Sequence, residues 1–325
     1  MTSTATAHPN IALAKYWGKR NDALIIPATG SLSLTLDVFP TTTSVTLSDE
    51  GADAVRLDGV LLTGDESNRV RTVLDRIREL SGRTGHARVE SANTVPTAAG
   101  LASSAAAFAA LATAAADAFG LDADDRMLSR IARRGSGSAC RSVFPGVARW
   151  NAGIDDESSY AEPLSWNGPP LAMVVGIVSS QRKAVSSRTA MRRTVETSPY
   201  FPAWVTSSAA LLDQMSDAVA AGDFATVGEL TEQSALRMHA SMFGAVPPVR
   251  YLSAASLALF DAVVTLRSAG IDAYATADAG PNVKVLCRSD QASHVVDALT
   301  ATIPDAEYVV AHAGPGSHIV TGKGA

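Results

Sequence analysis

Cysteine is scarce. Cys140 and Cys287 are the only two in 325 residues. They stand far apart and lack metal-ligand spacing, so a disulfide framework and a cysteine metal site are both excluded, and a reduced, cytoplasmic protein is expected. Basic excess is missing too. The 27 Lys and Arg are outnumbered by 32 Asp and Glu, for a net charge of −5. That argues against a nucleic-acid partner, which usually calls for a basic patch. Long apolar runs are absent. Leu171 to Val178 is the longest in the second half, well short of the roughly 20 residues that cross a bilayer, so no membrane partner is expected. The opening MTSTATAHPN has neither a basic start nor an apolar stretch, so no secretory signal is expected. No GK[ST] follows the glycine-rich stretch near residue 100, and no GxGxxG occurs there, which removes the two commonest nucleotide fingerprints. What remains is 46% apolar and 18% charged, an ordinary globular composition.

Three dense spots stand out. The first is PTAAGLASSAAAF, Pro96 to Phe108. Gly100 allows close approach, and Ser103 or Ser104 can cap a helix running through Phe108 and Leu111 towards Phe119. A helix start reached through small residues presents unpaired N–H groups and partial positive charge, a natural phosphate cradle. An Ala-rich core helix accounts for the same residues. The second spot is RRGSGSACRS, Arg133 to Ser142, where glycines and serines lie between arginines. Its exposed amides could form an anion nest, with arginine adding bidentate charge, or it could be a helix end and a surface turn. Two such spots in one chain favour a polyphosphate ligand. The third is Gln181 to Arg193, again rich in Arg and Ser, either facing an anion or solvated.

The rest of the chain reads as alternating strands and helices. SLSLTLD, Ser31 to Asp37, predicts a half-buried strand with Leu32, Leu34 and Leu36 on one face. Thr43 to Leu47 repeats the pattern, and Asp58-Gly59 predicts a hairpin. Glu66 to Leu80 has helical spacing, with Arg69, Arg71, Arg76 and Arg78 read mostly as its solvated face. A helix is predicted from Asp122, and strands over 147–150 and 160–164. Trp166 to Pro170 is the linker candidate, dividing the chain into 1–170 and 171–325. A buried strand over 171–178, helices over 207–220, 224–239 and 253–269, strands over 271–277 and 283–287, a helix over 290–300 and a strand over 307–311 complete the second part. Lys15 and Lys19 bracket Tyr16 and Trp17; composition alone favours a solvated pair. His239 is read as structural. Asp278, at a strand end before Gly-Pro, sits where catalytic carboxylates occur and where turn-forming aspartates are commoner still.

Five motifs in order carry a resemblance: NIALAKYWGKR (10–20), PTAAGLASSAAAFAAL (96–111), RRGSGSACRS (133–142), VSSR (185–188) and DAGPNVKVLC (278–287). Together they resemble the diphosphomevalonate decarboxylases, within the GHMP kinase superfamily, over nearly the whole chain. The resemblance implies a two-layer α+β fold, with an N-terminal domain like ribosomal protein S5 domain 2, a C-terminal ferredoxin-like domain and the active site between them. It implies ATP and Mg²⁺ as cofactors, 5-diphosphomevalonate as substrate, isopentenyl diphosphate as product, and a homodimer. A 3-kinase of mevalonate or its phosphate, or a decarboxylase preferring the monophosphate, is the alternative.

Site roles follow from the resemblance. Pro96, Ala99, Gly100, Leu101, Ala102, Ser103 and Ser104 match the ATP phosphate loop, with Ser104 also beside the metal. Asn10, Tyr16, Lys19, Ser136, Gly137, Ser138, Ser187 and Arg188 match substrate contacts. Asp278 matches the essential aspartate near the 3-hydroxyl, Lys15 its cationic neighbour, and Arg141 the residue that, with Asn10, orients the carboxylate. Such an aspartate acts either as a general base or by charge and position. Pro145, Ala190 and Ala277 depart from the family pattern beside these motifs.

Overall fold

The computed structural model describes residues 1–49, 51–94, 103–179 and 185–320. Pro96, Ala99, Gly100, Leu101 and Ala102 lie outside the described residues, as does the side chain of Ser103.

Short Thr/Ala and Ser/Leu alternations build the first half. Its elements are β1 (Thr2–Ala7), β2 (Asn10–Ala14), β3 (Lys19–Asn21), β4 (Ile26–Pro27), β5 (Ser31–Thr35), β6 (Thr41–Ser48), β7 (Ala54–Leu57) and β8 (Val60–Leu61). Then come α1 (Gly64–Ser81), β9 (His86–Asn93), α2 (Ser103–Ala118), α3 (Asp125–Gly135), β10 (Val147–Trp150) and β11 (Ala161–Pro163). The second half has β12 (Leu171–Ile177), α4 (Ser187–Thr197), α5 (Phe201–Ala221), α6 (Phe224–Phe243), α7 (Ala254–Ser268) and β13 (Ala273–Ala277). It ends in β14 (Val283–Arg288), α8 (Ala292–Thr302), β15 (Glu307–His312) and β16 (His318–Ile319).

The expected α+β class holds. Strands pair in the orders β16-β1-β6-β9-β7-β8, β11-β10-β5-β2 and β13-β14-β12-β15, with a β3-β4 ribbon. Pairing is antiparallel except between β7 and β9. The hairpin at Asp58-Gly59 forms as read, both residues at positive φ. Among the described residues no helix is long and apolar enough to cross a membrane.

Three expectations need correction. The helix expected from Asp122 begins at Asp125, because Asp124 caps it by accepting from the Met127 amide at 2.7 Å. The helix expected from Ser207 begins at Phe201, with Pro202 in its first turn. The strand β5 is buried on both faces, not half-buried. Its leucines pack with Leu171, Leu211 and Leu212 of the second half. Its polar face is closed off because Ser31 and Ser33 accept from the buried Arg141. The middle sheet is thus sandwiched, and α2 with α1 and α3 fills the core on its far side. After β15 the chain returns to the first half: Gly314 donates to Thr35 and Ser317 to Val143.

Candidate active site

The residues from Asn10 to Lys19 run from a buried strand into the cleft between the halves. β2 is buried along its length, so its continuation delivers Lys15 into the interior. Lys15 is 2% exposed, which overturns the solvated pair suggested by composition. Its ammonium donates to the Ala12 carbonyl at 2.8 Å and to Asp278 Oδ1 at 2.6 Å. An ammonium is costly to bury unless paired. Here burial pulls the Lys15 pKa below its ordinary value, Asp278 pushes it back up, and Lys284 and Arg141 add to the lowering. Lys19 is mostly buried and pairs with Asp22 at 2.6 Å.

Asp278 sits in the turn between β13 and β14. Its backbone carbonyl accepts from Gly280 at 2.7 Å, so the turn uses its main chain and leaves the side chain for ion pairs. Turn role and charge role therefore coexist in one residue. Asn282 fixes the same turn: its Oδ1 accepts from the amides of Val178 and Ser179 at 2.9 and 3.1 Å.

Arg141 is fully buried at the end of the Gly137–Cys140 turn. Nε donates to Ser33 Oγ at 2.9 Å, Nη1 to Ser31 Oγ at 2.6 Å and Nη2 to Asn10 Oδ1 at 3.0 Å. Asn10 in turn donates to Ser142 Oγ and the Ser138 carbonyl. Among the described residues no carboxylate comes within ion-pair distance of Arg141. A buried guanidinium held by neutral oxygens, its pKa lowered by burial, is a site for an anion from outside the chain.

These groups share one cavity of about 400 Å³. Every residue expected to be catalytic or to touch substrate lines it: Lys15, Arg141 and Asp278, then Asn10, Tyr16, Lys19, Ser136, Gly137, Ser138, Ser187 and Arg188. Ser104 lines it too, and its hydroxyl lies 3.3 Å from that of Ser136, so the first two dense spots meet there. Gly137 is needed for the packing: a Cβ there would stand 3.0 Å from both the Tyr16 and Trp150 rings. Tyr16 stacks edge-on against Trp150 at 4.8 Å, and burial raises its pKa, leaving a neutral phenol that can donate. Ser186 caps α4, so Ser187 and Arg188 stand in a helix first turn that opens on the cavity.

Arg69 belongs to a set of four arginines read mostly as a solvated face, and the structure takes it out of that face. It lines the cavity, donates twice to the Gly135 carbonyl at 2.9 and 2.7 Å, and covers the Phe108 ring at 4.6 Å. Burial, helped by Arg188, lowers its pKa to about 10. The cavity wall therefore carries Lys15, Lys19, Arg69, Arg141 and Arg188 against Asp278. Two other groups escaped sequence reading. Lys284 on β14 is buried, with its ammonium 3.4 Å from Asp278 Oδ2. The signal was a lysine inside the apolar run VKVLC. Asn282 left no signal beyond its place after Gly-Pro.

Cys140 and Cys287 are buried, and burial pushes both thiols up to about 12, so neither supplies a nucleophile. His239, in α6, is also buried. Its Nε2 lies 3.4 Å from the Ala277 carbonyl, behind Asp278. Burial and Lys15 lower its pKa to about 4 from 6.5. The folded state thus favours the neutral ring. Its contribution to stability is complete above pH 6.5 and is lost as pH falls from 6.5 towards 4. A depression of this size is worth roughly 3 kcal/mol. His239→Gln should flatten the fall in unfolding free energy over that window, as read by urea titration at pH 7, 5 and 4.

Two α+β halves enclosing a cationic cleft, with α2 starting at its wall, define a GHMP-type small-molecule kinase fold. Residues 7–161 match the model of the diphosphomevalonate decarboxylase-like N-terminal domain, and residues 173–318 that of the mevalonate 5-diphosphate decarboxylase C-terminal domain. Human diphosphomevalonate decarboxylase is 35% identical over 93% of this chain and 80% of its own. The solved mevalonate diphosphate decarboxylase of Enterococcus faecalis is 44% identical over 99% of both chains, with a TM-score of 0.92. That of Staphylococcus aureus is 40% identical over 98% of both, with a TM-score of 0.94. A further structure, described as a complex with MVAPP, AMPPCP and magnesium, is 44% identical over 99% of both chains, with a TM-score of 0.93. The chain belongs to the diphosphomevalonate decarboxylase family.

Proposed function

We propose that this chain converts (R)-5-diphosphomevalonate, with ATP, to isopentenyl diphosphate, ADP, phosphate and carbon dioxide. One observation carries the proposal: buried Lys15 paired with Asp278, and a buried Arg141 that meets no carboxylate among the described residues, open on the same cationic cavity. A substrate with a carboxylate and a diphosphate needs such an excess of fixed positive charge, and a triphosphate beside it needs more.

A second cavity adjoins the first. A smaller cavity of about 190 Å³, lined by Val55, Leu57, Leu62, Val70 and Phe108 among others, shares Arg69 and Ser104 with the main one. A nucleoside in the apolar cavity would hand its phosphates past Ser104 towards Asp278. Among the described residues no cluster of three acidic, His or Cys side chains could cage a metal by itself. That fits Mg²⁺ carried on phosphate oxygens and water, with the Ser104 hydroxyl as the protein contact. When bound, the ion neutralises charge on the transferring phosphate.

Lys19, Tyr16, Ser136, Gly137, Ser138, Ser187 and Arg188 hold the diphosphate end, and Asn10 with Arg141 orients the carboxylate. Asp278 faces the 3-hydroxyl, which receives the γ-phosphoryl group. Phosphate then leaves C3 while the carboxylate electrons flow out as carbon dioxide departs. The N-terminal unit, residues 1–170, holds ATP, and residues 171–325 supply Asp278. The division is supported by the two family segments either side of Trp166 to Pro170. A homodimer and a cytoplasmic location belong to the same proposal and are supported by the family resemblance and the two unpaired cysteines.

Carbon dioxide and inorganic phosphate should each appear in equal amounts with ADP. ADP without either would make the chain a 3-kinase instead. Faster turnover of 5-phosphomevalonate than of the diphosphate would make it a monophosphate decarboxylase.

A further inference from the structure

The carboxylate of Asp278 is approached by more cations than a single lysine neighbour. Lys15, arriving from the end of β2, takes Oδ1 at 2.6 Å. Lys284, projecting from β14, stands 3.4 Å from Oδ2. His239 lies behind the same turn on α6 and is held neutral by its burial. Arg141 acts on Asp278 from across the cavity. Lys284 is 1% exposed and does not line the cavity, whereas the Asp278 side chain is 29% exposed. So Lys284 stays behind the cavity wall, yet its charge faces Asp278, the one acidic group that lines the cavity among the described residues.

We infer that Lys284 is a positioning residue for this reaction: it grips Oδ2 of Asp278 from the protein side, so that the carboxylate stays ionised and fixed towards the 3-hydroxyl. The fold explains why it can. β14 pairs with both β13 and β12, so the Lys284 backbone is locked opposite Thr276 and Val175. Its ammonium also donates to the Asn282 carbonyl at 3.3 Å, and Asn282 is itself bonded to Val178 and Ser179. The lysine, the turn and the aspartate therefore move as one body. Two cations on opposite oxygens make a carboxylate a poor proton acceptor and a strong fixed negative charge. Such a group suits stabilisation of positive character at C3 better than removal of the hydroxyl proton.

This role presupposes the decarboxylation proposed above, and the test separates the two. Lys284→Gln removes the charge but keeps an amide to donate to Asn282, and Lys284→Arg restores the charge. Lys284→Gln should lower kcat by about 10- to 100-fold, with KM for ATP within about twofold. The acid limb of its pH profile should move up, because a cation beside the carboxylate has gone. Lys284→Arg should recover most of the loss. In an Asp278→Asn background Lys284→Gln should cost little more, because its target has gone. Carboxyl ¹³C NMR of labelled aspartate, assigned by Asp278→Asn, reads the same midpoint without turnover. A wild type that releases no carbon dioxide sinks the decarboxylation, while a midpoint raised in Lys284→Gln still supports the grip on Asp278. An unmoved midpoint and acid limb, or an equal loss in both backgrounds, overturns the role of Lys284. Should Lys284→Gln fold poorly, the midpoint in Lys284→Arg decides: it must match wild type.

Discussion

Asp278→Asn should lower kcat for carbon dioxide release by about 10³-fold or more, while ATP binding stays within about twofold. The substitution is isosteric, so the turn keeps its backbone bond from Gly280. What goes is the negative charge between Lys15 and Lys284. Both ammonium groups are 1% exposed, so the variant takes this carboxylate away from two buried cations. Burial already lowers the Lys15 pKa and Asp278 is what pushes it back up, so Lys15 is the ammonium expected to give up its proton in the variant. The loss in rate has two possible sources, and a rapid-quench measurement separates them. If phosphoryl transfer survives, ADP appears in a burst and a 3-phosphorylated substrate accumulates, which places Asp278 at the step where phosphate leaves C3. If ADP formation falls equally, Asp278 acts at the transfer itself, as base or as orienting charge. Retained carbon dioxide release in Asp278→Asn would remove this residue from the chemistry altogether.

The contrast between Lys15 and Arg69 shows how far the sequence reaches. Alternation, helical spacing and turn chemistry are local, so SLSLTLD as a strand (though not its burial on both faces), the Asp58-Gly59 hairpin and the α1 helix are legible from their own residues. Burial of a charged side chain is not local. Lys15 and Asp278 are 263 positions apart, and only the packing of β2 against the second half brings them to 2.6 Å. Composition therefore made Lys15 a snorkelling lysine, and motif resemblance alone pointed to the pair. Arg69 failed for the same reason without such a rescue. On α1 its neighbours Arg76 and Arg78 each pair with an exposed carboxylate of the same helix and with a buried or mostly buried one from elsewhere, Asp156 and Asp53, which helical spacing does not reveal either. What singles out Arg69 is the Gly135 carbonyl, supplied by the far end of α3. Lys284 was hidden differently. Its motif was recognised, but a lysine within a buried strand reads as an edge position until the partner of its charge is seen.

Arg141→Gln should lower kcat/KM for the diphosphate substrate by about 10³-fold and cost about 3–5 kcal/mol of stability. The two effects have one cause. Arg141 uses three of its donors on Ser33, Ser31 and Asn10. Asn10 carries the network on to Ser142 and the Ser138 carbonyl, and so holds the Gly137–Cys140 turn that lines the cavity. Glutamine reaches at most two of the three acceptors and brings no charge. The remaining hydroxyls on β5 would lie buried without their donor, because the middle sheet is closed on both faces. Arg141→Lys keeps the charge but not the planar fork, so it should recover substrate affinity only in part. A substrate that meets Arg141 through its carboxylate must later give up that carboxylate's electrons. A clamp that tightened during this step would oppose it, so Arg141 should contribute more to binding than to the later step. The test is a split of the loss in Arg141→Lys. A rise in KM exceeding the fall in kcat, by calorimetry and steady-state kinetics together, supports an orienting guanidinium. A fall confined to kcat would mean that Arg141 stabilises the departing charge, and that the carboxylate is held by another group in the cavity.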